Sequence, residues 1–506
     1  MTLIENLKHK SGQTVTLKGW VTNRRSGKGI EFIILRDGSG YVQCIASDSD
    51  LKPEIFEVAT KLSQESSVEI TGKVVEDPKQ IGGFEIHSTD LKLIGDSENY
   101  PISNKEHGVE FLMENRHLWL RSKRQWAVMR VRNKLIYAIH TFFQKEGFMQ
   151  MDAPIFTGNA AEGTTTLFST KFYENEAYLS QSGQLYGEAM AMAMGKIYTF
   201  GPTFRAEKSK TRRHLSEFWM IEPEMAFFDL DMNMDLIEEF IKYITNEVNE
   251  NCKAEMEILE RDTTIFDNIK NNKFPRLTYD KAVKILKGDE PVNGKTTIQT
   301  LENDLALVKA QIASNQEEIR LAEEEIKKSG TSKGTKNYLQ NKIDRLKNSI
   351  IELEIQEKNI PAWLKSAADF EYGSDFGGSD ETVLTRMFDV PVMVYNWPHE
   401  IKAFYMKRDK NNSAFAKGVD VLAPEGYGEV VGGGERETDL NQLIEKINEH
   451  KLPMSAFEWY LDLRRFGSVP HSGFGLGLER MVSWVCKLKH IRETIPFPRY
   501  YGNLMP

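Results

Sequence analysis

The chain is poor in cysteine. Its 506 residues include only Cys44, Cys252 and Cys486, odd in number and far apart. That excludes a disulfide framework and a closely spaced zinc cluster, and it fits a reducing compartment such as the cytoplasm. Long apolar runs are absent as well. No stretch approaches the roughly 18 apolar residues of a membrane span, and the opening MTLIENLKHKSGQ has no apolar signal core, so no membrane association is expected. Positive charge is not in excess. The formal net charge is -9, which excludes a general attraction for nucleic acid, so any RNA contact must use local basic patches. No Ser-His-Asp or Cys-His pattern signals a covalent nucleophile. What is present, 40% hydrophobic and 27% charged residues, is ordinary for a globular protein. The length implies two or three domains.

Residues 1–98 read as a small all-β domain. Strands are expected over Val15–Val21, Ile30–Arg36, Tyr41–Ala46, Val68–Val75 and Phe84–Ile94, separated by turns such as Asp37-Gly38-Ser39-Gly40. A helical stretch, Pro53–Gln64, lies between the third and fourth. Five short strands with a helix after the third match the Greek-key OB barrel, a frequent nucleic-acid binder. Residues 99–122 form a polar connector containing Pro101.

The remainder, 123–506, mixes helices and strands, an α+β pattern. A helix is expected from Arg124 to Glu146, with Val128, Val131, Leu135, Ile139 and Phe142 on one stripe and Gly147 ending it. Most later strands are joined by hairpins, which favours an antiparallel sheet flanked by helices. Residues 296–359 depart from this pattern. Apolar positions recur at helical spacing on two arms, around Leu301, Leu305 and Val308 and around Ile343, Leu346 and Ile350, with a turn over 329–334. They form an inserted antiparallel helical hairpin with no assigned chemistry.

Two distant stretches carry the chemistry. FRAEKSKTRRHLSEFWMIEPE, Phe204 to Glu224, reads as two strands joined by a basic loop. Side chains alternate along a strand, so Arg205 and Glu207 are expected on one face, and Phe218, Met220, Glu222 and Glu224 on one face of the return strand. Lys208, Lys210, Arg212, Arg213 and His214 lie at the rim. A cation, an aromatic ring and carboxylates suit an aromatic base, a polyphosphate and an ammonium group. In HSGFGLGLER, His471 to Arg480, Gly473, Gly475 and Gly477 alternate. They leave a strand face where a flat ligand could lie against backbone.

With both stretches, the barrel and the antiparallel sheet, the chain resembles the class II aminoacyl-tRNA synthetases. It resembles their aspartate, asparagine and lysine subgroup, and most of all its asparaginyl branch. Phe204–Glu224 resembles motif 2 of that family, His471–Arg480 motif 3, and the helix before Gly147, with Pro154 after it, the dimer-forming motif 1. The resemblance implies activation of asparagine by ATP, transfer to tRNA(Asn), Mg²⁺ as cofactor and a homodimer. Neither step needs a covalent enzyme intermediate, so rate comes from positioning and from neutralising phosphate charge.

Roles carry over by position. Arg205 resembles the arginine that grips the α-phosphate and carboxylate, and Glu207 the carboxylate near adenine and the tRNA end. Arg213 and His214 resemble the holders of the outer phosphates. Phe218 and Arg480 resemble the pair that sandwiches adenine. Glu429 resembles the principal magnesium carboxylate, with Asp420 assisting; the family can carry serine where this chain has Gly432. Glu162 resembles the holder of the substrate amino group, with Ser182 and Gln184 beside it. Arg436 resembles the side-chain-reading arginine, which can donate to a carboxylate or an amide oxygen.

Aspartate enzymes place a lysine where this chain has Gly187, in QSGQLYGE. The missing cation favours asparagine, with Glu222 or Glu224 accepting from its amide and repelling aspartate. In the barrel, Arg25, Phe32 and Gln43 resemble the anticodon readers, an aromatic platform with polar edge contacts. An aspartyl enzyme, an amide-forming asparagine synthetase on the same catalytic fold and a silent RNA-binding module are the competing readings. Gly187 opposes the first, the barrel the second, and the intact Arg205, Glu207, Glu429 and Arg480 set the third.

Overall fold

The computed structural model describes residues 2–103, 107–158, 167–209 and 211–506. They form two compact units, one up to Ser122 and one from Lys123 onward.

In the first unit, strands Thr14–Gly27, Ile30–Arg36, Tyr41–Ser47, Ser67–Glu76 and Phe84–Gly95 close a barrel. The third and fifth strands pair in parallel, and the other pairs are antiparallel. The helix Pro53–Lys61 follows the third strand. Alternation sorts the residues. Leu17, Ile33, Leu35, Cys44, Ile70 and Ile86 fill the interior, while Phe32 and Ile34 on the same strand face outward.

The second unit is built on an eight-stranded sheet. Its spatial order is Arg276–Thr278, Val392–Pro398, Phe415–Ala423, Gly428–Glu435, His471–Gly477, Glu217–Ala226, Lys196–Phe204 and Met149–Gln150. The six central strands are antiparallel, as expected. The two edges are not: Met149–Gln150 and Arg276–Thr278 pair in parallel with their neighbours. Each edge is separated from its partner by a long connection, which parallel pairing requires: helices lie between Thr278 and Val392, and a small three-stranded sheet and one helix between Gln150 and Lys196.

Helices Lys123–Lys145 and Leu230–Asn251 cover one face of this sheet. Val131, Leu135, Phe143 and Phe240 pack there against Ile221 and Leu476. The opposite face is left to the site. The inserted hairpin consists of helices Thr297–Lys327 and Lys333–Ala368. Its second arm runs past the expected limit at 359 and through Pro361. A proline inside a helix costs about 3 kcal/mol. Ile360, Trp363, Leu364 and Ala367 offset this by packing with Leu277, Tyr279 and Trp397. Among the described residues no helix is long and apolar enough to cross a membrane.

Candidate active site

The site is assembled on the open face of the sheet, where strands Glu217–Ala226 and His471–Gly477 run side by side, Glu224 opposite Gly473 and Met220 opposite Gly477. Period-two alternation puts Phe218, Met220, Glu222 and Glu224 on that face. The glycine strip beside them is not bare, contrary to expectation. A Cβ at Gly473 would fall 2.2 Å from Glu224 Oε1, and one at Gly475 would fall 2.6 Å from Met220 Cε. The glycines admit side chains from the next strand.

Two cavities open on this face. The larger, about 520 Å³, is walled by Ser182, Gln184, Glu222, Glu224 and Arg436. The smaller, about 100 Å³, is walled by Glu207, Arg213, His214, Phe218 and Arg480. They share Arg205, Met220, Glu429 and Gly475. One chamber is thus rich in carboxylates, the other cationic and aromatic, and Arg205 stands at their junction.

In the larger chamber Glu224 and Arg436 form a buried pair, with Nη2 at 2.5 Å and Nε at 3.3 Å from the carboxylate. They are 0% and 2% exposed. Burial pushes the Glu224 carboxyl above its usual range, and Arg436 pulls it back. Gly187 faces this pair: a Cβ there would meet Glu224 Cγ at 3.2 Å. Glu222 has other partners. It accepts from the Ser182 hydroxyl, from the Gly183 N–H at 2.8 Å and from Thr199 Oγ1 at 3.3 Å, which fixes the turn that starts the helix Gln184–Met194.

In the smaller chamber Arg480 donates to Glu429 Oε2 and to its carbonyl, each at 2.9 Å. The Arg205 guanidinium lies 5.5 Å from the Phe218 ring centre. Arg205 and Glu207 do not share a strand face, because the strand ends at Phe204 and both belong to the following loop; they reach the chamber from there. Arg213 is folded inward instead of standing at the rim. It holds Glu381 at 3.2 Å, Thr382 Oγ1 at 3.0 Å and the Gly426 carbonyl at 2.5 Å. His214 Nε2 is 3.8 Å from Glu207. Glu162 and Lys210 lie outside the described residues.

Four carboxylates gather near the junction. Burial opposes the charge of Glu429, yet Arg480 and Lys402 outweigh it and hold its carboxyl below the ordinary range. Burial, reinforced by Glu429, pushes Glu381 up to about 7. Burial likewise lifts Asp375. It pushes Asp420 up to about 7 against the pull of Lys402, whose ammonium is 2.5 Å away. Buried carboxylates that raise one another suit a divalent cation, and Glu429 fits that role. Asp420 meets Lys402 through Oδ2, as Glu429 meets Arg480 through Oε2. A Cβ at Gly432 would come within 2.8 Å of Glu429 Oε1, so glycine leaves that oxygen room. Among the described residues no cluster of three or more His, Cys, Asp or Glu is preassembled for a metal.

A family model described as tRNA synthetases class II (D, K and N) matches residues 108–501. The chain belongs to that family. An OB-fold nucleic acid binding domain model matches residues 15–94 of the synthetase. A protein of Sorangium cellulosum named asparagine–tRNA ligase is 47% identical over 98% of this chain and 96% of its own length. One of Desulforamulus reducens with the same name is 45% identical over 100% and 99%. The crystal structure of asparaginyl-tRNA synthetase from Pyrococcus horikoshii complexed with asparaginyl-adenylate superposes with a TM-score of 0.80. It is 36% identical, covering 98% of this chain and 97% of that one.

The synthetase's barrel brings its three expected readers to one outer face. Arg25 pairs across from Phe32, and its guanidinium sits 4.9 Å from the ring centre. Phe32 pairs with Ile45, and Gln43 with Ile34 and Glu85. Sequence reasoning missed Glu85, which accepts from Gln43 Nε2 at 3.3 Å and contacts His87 Nε2 at 2.8 Å. It also missed Lys402, Glu381 and Glu188. Glu188 had a signal, since it lies one helical turn after Gln184. Burial opposes the charge of Glu188, but Arg464 and His471 outweigh it and hold its carboxyl far below the usual range.

Proposed function

We propose that the synthetase joins asparagine to tRNA(Asn) in two steps at this site. The α-carboxylate of asparagine attacks the α-phosphorus of ATP, forming an asparaginyl adenylate as pyrophosphate leaves. A hydroxyl of the terminal ribose of tRNA(Asn) then attacks the adenylate's carbonyl carbon, and AMP leaves. The larger chamber takes the amino acid and the smaller one takes adenine, between Phe218 and Arg480. Arg205, at the junction, neutralises the α-phosphate where negative charge builds up, a stabilisation strongest in the transition state. Glu207 faces the adenine side and the tRNA end. Arg213, clamped by Glu381 and Gly426, presents positive charge to the outer phosphates without reorganising, and His214, whose pKa burial and Arg480 push down, meets them as a hydrogen-bond donor. Glu429 would hold Mg²⁺, which would supply further charge neutralisation.

The observation that carries the choice of asparagine is Glu224, seated in the space that Gly187 leaves open and paired with Arg436. The side-chain amide of asparagine has a donor for Glu224 and an acceptor for Arg436. Aspartate would bring a second carboxylate against Glu224 and be repelled. Glu222, Ser182, Gln184 and Glu162 serve the substrate ammonium. Full-length relatives carrying the asparagine–tRNA ligase name support the same reading. ATP–pyrophosphate exchange run in parallel with the two amino acids tests it. Asparagine should be preferred by at least about 100-fold in kcat/KM, and a preference for aspartate would overturn the assignment.

The barrel reads the anticodon with Arg25, Phe32 and Gln43. Base stacking on an aromatic side chain contributes about 1–3 kcal/mol. Phe32→Ala should therefore lower kcat/KM for tRNA roughly 5- to 150-fold while leaving tRNA-independent exchange unchanged. Equal losses in both assays would contradict this division of labour. The synthetase acts as a homodimer in the cytoplasm. Support for the dimer comes from Tyr137, 65% exposed on the motif 1 helix, and Met149, 49% exposed just after it.

A further inference from the structure

Behind the wall of the larger chamber, four side chains converge on one carboxylate. Glu188 is 0% exposed and does not line the cavity. Its Oε1 accepts from Gln184 Nε2 at 3.2 Å and from the Tyr460 hydroxyl at 2.7 Å. Its Oε2 accepts from Arg464 Nη2 at 2.7 Å and contacts His471 Nε2 at 2.9 Å. Gln184 and Glu188 are one turn apart on the helix Gln184–Met194, and Tyr460 and Arg464 one turn apart on Glu458–Arg465. The geometry is therefore set by two helices and the start of strand His471–Gly477.

An amide side chain is ambiguous by shape, since its oxygen and NH₂ ends are nearly interchangeable. Opposite a carboxylate the ambiguity ends. An ionised carboxylate only accepts, so Gln184 must turn its NH₂ toward Glu188. Its Oε1 is then left for the chamber whose wall Gln184 forms. An ammonium group only donates, so an amide oxygen suits it and an amide NH₂ does not.

We propose that Glu188 is a positioning residue for amino acid binding. From outside the cavity it locks the Gln184 amide with its oxygen facing the substrate's α-ammonium. The inference rests on the reading that Gln184 serves that ammonium. Arg464 is an obligate donor on the Oε2 side. In Glu188→Gln, the new amide must turn its oxygen to Arg464 and its NH₂ to Gln184. The Tyr460 hydroxyl can rotate to accept. Gln184 has to flip, which puts a donor in the chamber where an acceptor stood. The volume is unchanged and Arg464 keeps a hydrogen-bond acceptor, while losing its ionised partner.

The test compares two ligands in the exchange assay. One is asparagine, and the other is succinamic acid, which is asparagine without its amino group, used as a competitive inhibitor. For E188Q the KM for asparagine should rise about tenfold, with the KM for ATP and the inhibition constant of succinamic acid each within about twofold of wild type. Unchanged asparagine KM, or an equal weakening of both ligands, would overturn the proposal, because a purely structural role ignores the ammonium. In the double variant E188Q with Q184E, a carboxylate at 184 accepts from the new amide and returns an acceptor to the chamber. It must bind asparagine better than Q184E alone, and this comparison decides the matter should E188Q fail to fold. If the wild-type protein shows no asparagine-dependent exchange, the functional reading itself fails. If it does exchange and E188Q behaves like it, only the role of Glu188 fails.

Discussion

Arg205→Ala is expected to lower asparagine-dependent ATP–pyrophosphate exchange by about 10³-fold or more, close to 4 kcal/mol of transition-state stabilisation. Arg205 lines both cavities, so in the proposed reaction its charge stands where the carboxylate and the α-phosphate meet. The loss should appear in kcat and in kcat/KM together, the pattern of an interaction that strengthens as the reaction proceeds. The fold should persist. Arg205 sits in a loop after the strand ends at Phe204, and the Phe218 ring it faces stays anchored on its own strand. Thermal denaturation alongside the kinetics checks this. A variant with near-normal exchange would remove Arg205 from the chemistry, and one that unfolds would make it a structural residue.

Much of the barrel could be read from the chain because local patterning decides it. Ile33 and Leu35 point inward and are 0% exposed, so their neighbours Phe32 and Ile34 must point outward, and the register follows. The face of the return strand carrying Phe218 to Glu224 was legible for the same reason. Arg205 and Glu207 were not, since alternation was carried past the point where pairing stops. Other features depend on contacts that no local pattern contains. Arg213 leaves the rim because Glu381 and Gly426, 168 and 213 residues away, hold it. Asp420 reads as a spare carboxylate until Lys402 is found against it. The apolar spacing read from the sequence ends the inserted hairpin at 359, whereas its second helix runs through Pro361 to Ala368. Only packing of Ile360 and Trp363 against a core made elsewhere shows why the helix continues.

Glu224→Ala is expected to have the second largest effect, on both stability and activity. Removing the carboxylate leaves the Arg436 guanidinium 2% exposed without its charged partner. Breaking one side of a buried pair costs about 3–5 kcal/mol, a large share of a typical stability of roughly 5–15 kcal/mol. Urea denaturation should show a lower midpoint, and asparagine activation should fall by about 10³-fold. Glu224→Gln separates the two effects. It preserves shape and can still accept one hydrogen bond, so it should recover much of the stability while the discrimination against aspartate collapses. Retained discrimination in E224Q would show that repulsion by this carboxylate does not select the substrate.

The continuity of the two chambers has a pharmacological consequence. Because Arg205, Met220, Glu429 and Gly475 border both, one compound can fill them at once through a short anionic bridge that faces Arg205. Tethering makes the second contact intramolecular, so affinity gains from effective concentration without any new contact. Potency in such a molecule would come from its purine end, and selectivity over other enzymes of this class from the carboxamide end.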